Sequence, residues 1–289
     1  MRIGQRCFAG MLLLTVLCAG CVHPPQPEPV AQWGKLHAAA ADDDLDAVFR
    51  LVRRGADVDA RDEHGLTPLM AAAVNGHLYP AKWLVENGAD VDAANDDGLT
   101  ALMGAAFYGK LDIVRLLADK HADVNAQDPA GMSALMLAVE NNRLTAVRFL
   151  LERGADPNLP NAAGDVPLAL AVRENRLDLA TALLDRGADA NVRAPNGTTV
   201  LMEAASQGRA ELVRLLLDRE ADIDAKTPKG ATALMGAAVK GHLDVVKILV
   251  ERGADATAKT DRGLTALAAA KAKNHADVVE FLSKKRAKE

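Results

Sequence analysis

From about residue 33 onward the chain alternates two kinds of apolar block. One is short and alanine-rich, the other amphipathic, and polar stretches rich in Gly and Asp separate them. The alternation keeps a fixed step: Gly65, Gly98, Gly131, Gly164, Gly197, Gly230 and Gly263 stand 33 residues apart. A second series, Gly55, Gly88, His121, Gly154, Gly187, Glu220 and Gly253, keeps the same step, and Ala-Asp follows each member. One period, "DEHGLTPLMAAAVNGHLYPAKWLVENGADVDA", contains a complete pair of helices. Thr67 is a good N-cap, and Pro68 suits the first helical position, where its missing N–H is not needed. Leu69 to Val74 then form a short helix that ends near Asn75-Gly76. Leu78 to Val85 form a second, with Leu78, Ala81, Leu84 and Val85 apolar, and Gly88 stops it in a left-handed conformation. "ADVDA" leads on to a turn whose tip lies at Asp62, Glu63 and His64, or at their equivalents one period later. A unit this small cannot bury its own apolar face, so the pattern predicts a stack of such units.

The "G-x-T-P-L-x-x-A-A" and "G-A-D-V-D/N-A" patterns at this step resemble ankyrin repeats, seen seven times from Gly65 onward. A half-matching unit precedes them, with Leu36, Ala39 and Gly55 where the next period has Leu69, Ala72 and Gly88. The resemblance implies an all-α repeat solenoid, an ankyrin stack of about eight helix-turn-helix units with protruding turn/hairpin loops. Residues 33–61 form the N-terminal capping unit, 62–262 six repeats, and 263–289 a C-terminal capping repeat with a basic tail. "ADDDLD" in the first unit and "SKKRAKE" in the last give the polar outer faces that end units need. The family's usual His after Thr-Pro-Leu is mostly Met here: Met70, Met103, Met136, Met202 and Met235. In the family that His ties neighbouring loops, so the substitution leaves the tie unsupported throughout.

The first 32 residues follow another logic. All three cysteines, Cys7, Cys18 and Cys21, lie within the first 21 positions, so no disulfide staples the repeats. Arg2 and Arg6 precede the uncharged apolar run "CFAGMLLLTVLCA", the composition of an export signal and too short for a membrane span of roughly 20 residues. Gly20-Cys21 at its end resembles the lipobox of bacterial lipoproteins, with Cys18 where Leu is usual. That resemblance implies cleavage after residue 20, acylation of Cys21, and a mature chain whose one thiol is its anchor. Val22 stands where an Asp commonly marks inner-membrane retention in that family, so the expected site is the outer membrane, facing the periplasm. Residues 21–32 are read as acylated Cys and tether, and residues 22–32, with four prolines, read as extended chain reaching roughly 34 Å at about 3.1 Å per residue.

Charge and chemistry narrow the function. Without residues 1–20 the balance is 32 basic against 39 acidic residues, net −7, which disfavours nucleic-acid binding. The five-Met series could suggest a soft-metal path, but stacked helices lie about 8–10 Å apart, too far for equivalent sulfurs to share an ion. Core packing is the reading we adopt. "GAAFYGKL" has the glycines and Lys of a phosphate loop but Leu111 where Ser or Thr must hold magnesium. "DVDAANDDG" fails as a calcium loop at both ends, with Ala93 and Gly104 at the first and twelfth positions. No catalytic residue, metal ligand set or cofactor motif emerges, and no small-molecule substrate is expected.

The surface that varies between copies is then the candidate for binding. It comprises the turn tips and two residues closing each first helix, the face with which ankyrin proteins generally hold partners. The helix-end positions include Val74, Phe107-Tyr108, Glu140, Arg173 and Lys240. Phe107 and Tyr108 are the one aromatic pair among these copies in a chain with 3% aromatics. Leu66, Leu99 and Met132, just past the tip glycines, would extend the patch. The tips run from acidic at residues 61–64 and 94–97 to basic at 193–196, 226–229 and 259–262, where Lys226, Lys229, Lys259 and Arg262 lie. In 0.15 M salt fields decay over about 8 Å, so the two ends act as separate patches for one partner with two complementary zones. The expected function is a non-catalytic, membrane-tethered scaffold or adaptor, attached through acylated Cys21 and holding an unidentified envelope protein. An inhibitor or immunity protein that occludes an exported toxin or enzyme, and a structural envelope protein, are the alternatives.

Overall fold

The computed structural model describes residues 28–286, so the export signal, Cys21 and most of the tether lie outside the described residues. Sixteen helices are present among them, with no strand. The described residues fall into two compact units that divide between Asp123 and Val124.

The first unit contains three helix pairs: α1 (Glu28–Ala41) with α2 (Leu45–Arg53), α3 (Pro68–Asn75) with α4 (Leu78–Glu86), and α5 (Ala101–Tyr108) with α6 (Leu111–Asp119). Each first helix packs on the next first helix and each second helix on the next second helix. The second unit repeats the scheme with five pairs. Its first helices are α7 (Ala134–Glu140), α9 (Pro167–Arg173), α11 (Val200–Ser206), α13 (Ala233–Lys240) and α15 (Ala266–Ala272). Its second helices are α8 (Leu144–Glu152), α10 (Leu177–Leu184), α12 (Ala210–Asp218), α14 (Leu243–Glu251) and α16 (Ala276–Arg286). The all-α repeat architecture expected from the 33-residue period is the one observed.

Local chemistry sets the helix ends. Thr67, Thr100, Ser133, Thr199, Thr232 and Thr265 each accept a hydrogen bond from the backbone N–H three residues on, at 3.2–3.4 Å. At the far end of each first helix the chain turns through a left-handed residue. Gly fills that position at Gly76, Gly109, Gly208 and Gly241, and Asp43, Asn142, Asn175 and Asn274 fill it elsewhere. Short polar side chains tolerate this conformation because they can bond the adjacent backbone.

Val166 breaks the capping pattern. It begins α9 with no side-chain cap, and it is buried. Threonine has the same shape and would supply the missing oxygen. Val166→Thr is therefore expected to stabilise the chain by about 1 kcal/mol, read as an increase in denaturant midpoint at unchanged slope.

Each unit has a core of leucine and small residues. Leu84 and Leu117 in the first unit, and Leu150, Leu183, Leu216 and Leu249 in the second, occupy one register and are each 0% exposed. Met70, Met103, Met136, Met202 and Met235 are all buried, as core packing requires.

Two expectations need correction. Residues up to 32 were expected to be extended, yet α1 begins at Glu28. Pro29 sits in its first turn, where proline's missing N–H and fixed φ are compatible with a helix. The loop tie was expected to be unsupported throughout, yet the first unit retains a His at that register and uses it. His37 Nε2 donates to the Leu66 carbonyl at 2.8 Å. Where Met replaces it, longer side chains near the tips bridge to the next copy. Arg61 reaches the Ala94 carbonyl at 2.6 Å, Gln127 that of Pro160 at 2.9 Å, and Arg193 that of Lys226 at 3.0 Å.

Candidate interaction surface

The turns that carry the tips are built before any partner arrives. A ladder of Asp and Asn side chains runs beneath them. In the first unit Asp59 and Asp92 accept from the backbone N–H of Asp90 and Asp123 at 2.9 and 2.8 Å. In the second, Asn125, Asn158, Asn191 and Asp224 accept from Asp156, Asp189, Asp222 and Asp255 at 2.7–2.9 Å. The three asparagines also donate to the carbonyls of Gly154, Gly187 and Glu220. This explains the D/N alternation of the repeat: every rung needs an acceptor, and an amide adds a donor. Isolated antiparallel bridges, Ala94–Thr100, Gln127–Ser133 and Arg193–Thr199, close the turns.

On the tips of the second unit Lys226, Lys229, Lys259 and Arg262 are all exposed. The Lys229 carbonyl accepts from Asp261 N at 3.2 Å, which fixes one tip against the next and leaves the lysine side chain to solvent. The rungs beneath carry compensating acids. Hydrogen bonds from Thr257, aided by the field of Lys226, hold the Asp255 carboxyl below the usual range.

The first-helix faces differ between the two units. In the first, Val74, Leu99 and Phe107 are buried at 7–8% exposure, so these three expected contact residues belong to the core. Leu66 and Tyr108 are half-buried. The Phe107 and Tyr108 rings meet edge to face at 4.9 Å, and burial raises the Tyr108 phenol above its ordinary pKa, keeping it a neutral hydroxyl. The same register is exposed in the second unit, where Glu140 and Arg173 occupy it. The position lies at the rim of the core: apolar side chains fold in and charged ones extend to water. Met132 is half-buried and Lys240 exposed.

Arg173 is not a free cation. Its two terminal guanidinium nitrogens donate to the two Asp165 carboxylate oxygens, at 3.0 and 2.8 Å, and its Nε lies 3.7 Å from Glu203. These partners raise its pKa further, with the Asp165 bond foremost. The balance on this face is therefore acidic around Glu140, Glu174 and Glu203, turning basic at Lys240. Partial burial, with Glu174 nearby, raises the pKa of Glu140. A carboxylate whose folded pKa exceeds its unfolded one destabilises the fold wherever it is ionised, and the penalty disappears as pH falls through the folded value. Glu140→Gln is accordingly expected to be more stable than the parent at pH 7, the gap closing as pH falls through the carboxylate range. Thermal midpoints at pH 7 and pH 4 measure this.

Stacked helix pairs capped by Thr or Ser, an Asx ladder under protruding turns, and a variable polar face define a repeat scaffold that presents surface to other proteins. A family model for ankyrin repeats, three copies at a time, matches residues 36–128, 81–161, 120–194 and 168–260. The chain belongs to the ankyrin-repeat family. It is also 52% identical over 44 residues to each of two Rickettsia felis ankyrin repeat proteins, RF_p14 and RF_pd14. The matched segment is 15% of this chain and 70% and 67% of those proteins. Ankyrin repeats make this chain a protein–protein interaction module, in a family that is typically non-catalytic.

Proposed function

We propose that the chain is a bacterial envelope scaffold, acylated at Cys21 and held at the outer membrane, that binds an envelope protein without chemical turnover. The anchor rests on the export-signal pattern ending in Gly20-Cys21. The binding role rests on one observation above all. At the two registers closing each first helix, residues such as Glu140, Arg173 and Lys240 differ from copy to copy, while the leucine register of the same helix pairs does not. A surface kept solely for stability has no reason to diversify there.

The partner fits charge as well as shape. The first-helix face of the second unit is acidic across α7, α9 and α11, and its later tips are basic, so a protein with a basic segment and an acidic segment complements both. Metabolic labelling with a fatty acid tests the anchor: label on the full chain, absent from Cys21→Ala, supports it, and an unlabelled parent chain overturns it.

A further inference from the structure

The second-helix face of the first unit carries aromatic residues that the repeat pattern does not call for. Tyr79, on α4, is 68% exposed. At its register the other seven copies have Asp five times (as at Asp46 and Asp112), Glu211 once and Thr145 once. Phe49, on α2, is 38% exposed, and its register elsewhere holds five Lys or Arg, one Thr and one Glu. Two solvent-facing, ordinarily charged positions have thus become aromatic, and both lie in the first two helix pairs.

The two substitutions act together. Phe49 meets the ring of Trp83 on α4 edge to face, with centroids 5.9 Å apart. Arg53 lies over the other side of Phe49, its guanidinium carbon 4.5 Å from the ring centroid. Arg50 and Arg54 are exposed on the same helix end, and Lys82 is engaged by Glu86 at 3.8 Å. Asp46, one turn before Phe49 on α2 and at the register of Tyr79, is exposed on the same side. The result is an aromatic patch edged by arginine at the C-terminal end of α2, with Glu86 paired to Lys82 and Asp46 the acid beside the rings.

We propose that this face of α2 and α4 seats on the interface of a bilayer containing anionic lipid. Trp and Tyr favour the headgroup level, where a ring is half in hydrocarbon and its polar atom is hydrated. Arginine there pairs with lipid phosphate while its stem lies along apolar surface. The occupant follows from where the chain leads. Cys21 precedes Glu28 by seven residues, which span at most about 25 Å. Glu28 opens the 14-residue α1, about 21 Å long, and packed helices lie about 10 Å apart, so α2, packed on α1, is within about 50 Å of any acyl group on Cys21. An acylated cysteine at the end of a tether leaves orientation free, and a second contact made by the protein itself fixes it. This inference rests on the anchor proposed above. It adds that the first unit of the tethered chain lies against the bilayer by α2 and α4.

The test uses the full chain with Trp33→Phe, which leaves Trp83 the one tryptophan of the two. It is reconstituted with vesicles of phosphatidylethanolamine and phosphatidylglycerol whose acyl chains are brominated, and flotation measures attachment separately. The expected result is quenching of Trp83 with a blue-shifted emission. Both effects are lost in Phe49→Lys/Tyr79→Asp, which installs residues that other copies carry at those registers, while flotation and circular dichroism are retained. A chain that floats with Trp83 unquenched overturns the docking face and leaves the anchor standing. If mass spectrometry finds no acyl group on Cys21, the anchor reading fails, and the quenching is read at millimolar lipid instead. Quenching there supports the face on its own, and none overturns it too.

Discussion

Truncating Leu150 to Ala is expected to cost about 3–4 kcal/mol, within the range for fully buried leucines that leave a cavity. Leu150 is 0% exposed, and every copy of the repeat has leucine at this register, from Leu51 to Leu282. Within its unit α8 packs against α7 and α10, and the cavity would weaken both contacts. Leu51 provides the internal comparison. It occupies the same register in α2, and it is half-buried. Leu51→Ala should cost about 1–2 kcal/mol, following the smaller area it removes from water. Urea titrations of the two variants, monitored by far-ultraviolet circular dichroism, test the difference. Equal costs would mean that burial at this register does not govern stability.

Gly131→Ala is expected to be nearly as damaging, about 3 kcal/mol, by another route. Gly131 has φ +75°, and a Cβ there would lie 2.6 Å from the backbone nitrogen of Ala162 and 2.8 Å from Asn161 Cα. That nitrogen donates to the Ala130 carbonyl at 2.9 Å, a bond linking one tip to the next. The methyl group must therefore push two backbones apart and break their hydrogen bond, adding overpacking to the left-handed penalty of about 1–2 kcal/mol. Gly154 separates the two effects. Its φ is +88°, yet a Cβ there meets nothing within 4 Å. The chain already carries His121 and Glu220 at this register, with φ +65° and +63°. Gly154→Ala should cost about 1 kcal/mol, the conformational part alone. The excess measured for Gly131→Ala reports how tightly consecutive tips are joined.

The fold was legible because one physical requirement recurs at constant register. A capping hydroxyl, a left-handed residue and a buried leucine return every 33 residues, so each copy corroborates the others, including Asn142 and Asn175 where glycine is missing. Three things escaped. Proline content alone argued for an extended tether, but Pro29 lies in the first turn of a helix, where proline is at home. Phe107 was expected at the surface because its register varies. Variation marks a position free of packing demands, and an apolar ring at the core's rim folds inward regardless. The engagement of Arg173 was not read from the sequence, because Asp165 lies eight residues earlier and Glu203, thirty later, meets it through the stacking of α9 and α11. The aromatic face of α2 and α4 could have been found from the sequence, since Tyr79 stands where other copies have acids. Attention to the first-helix positions and tips passed over it.

The central claim is that the first-helix face, diversified from copy to copy, holds a protein partner. Photo-reactive residues at Glu140, on that face, and at Arg148, exposed on the second helix of the same pair, test it most directly in cells that make the lipidated chain. The account predicts one dominant protein adduct from Glu140 and none of comparable yield from Arg148. Adducts of equal yield from both positions, or none from Glu140, would contradict it.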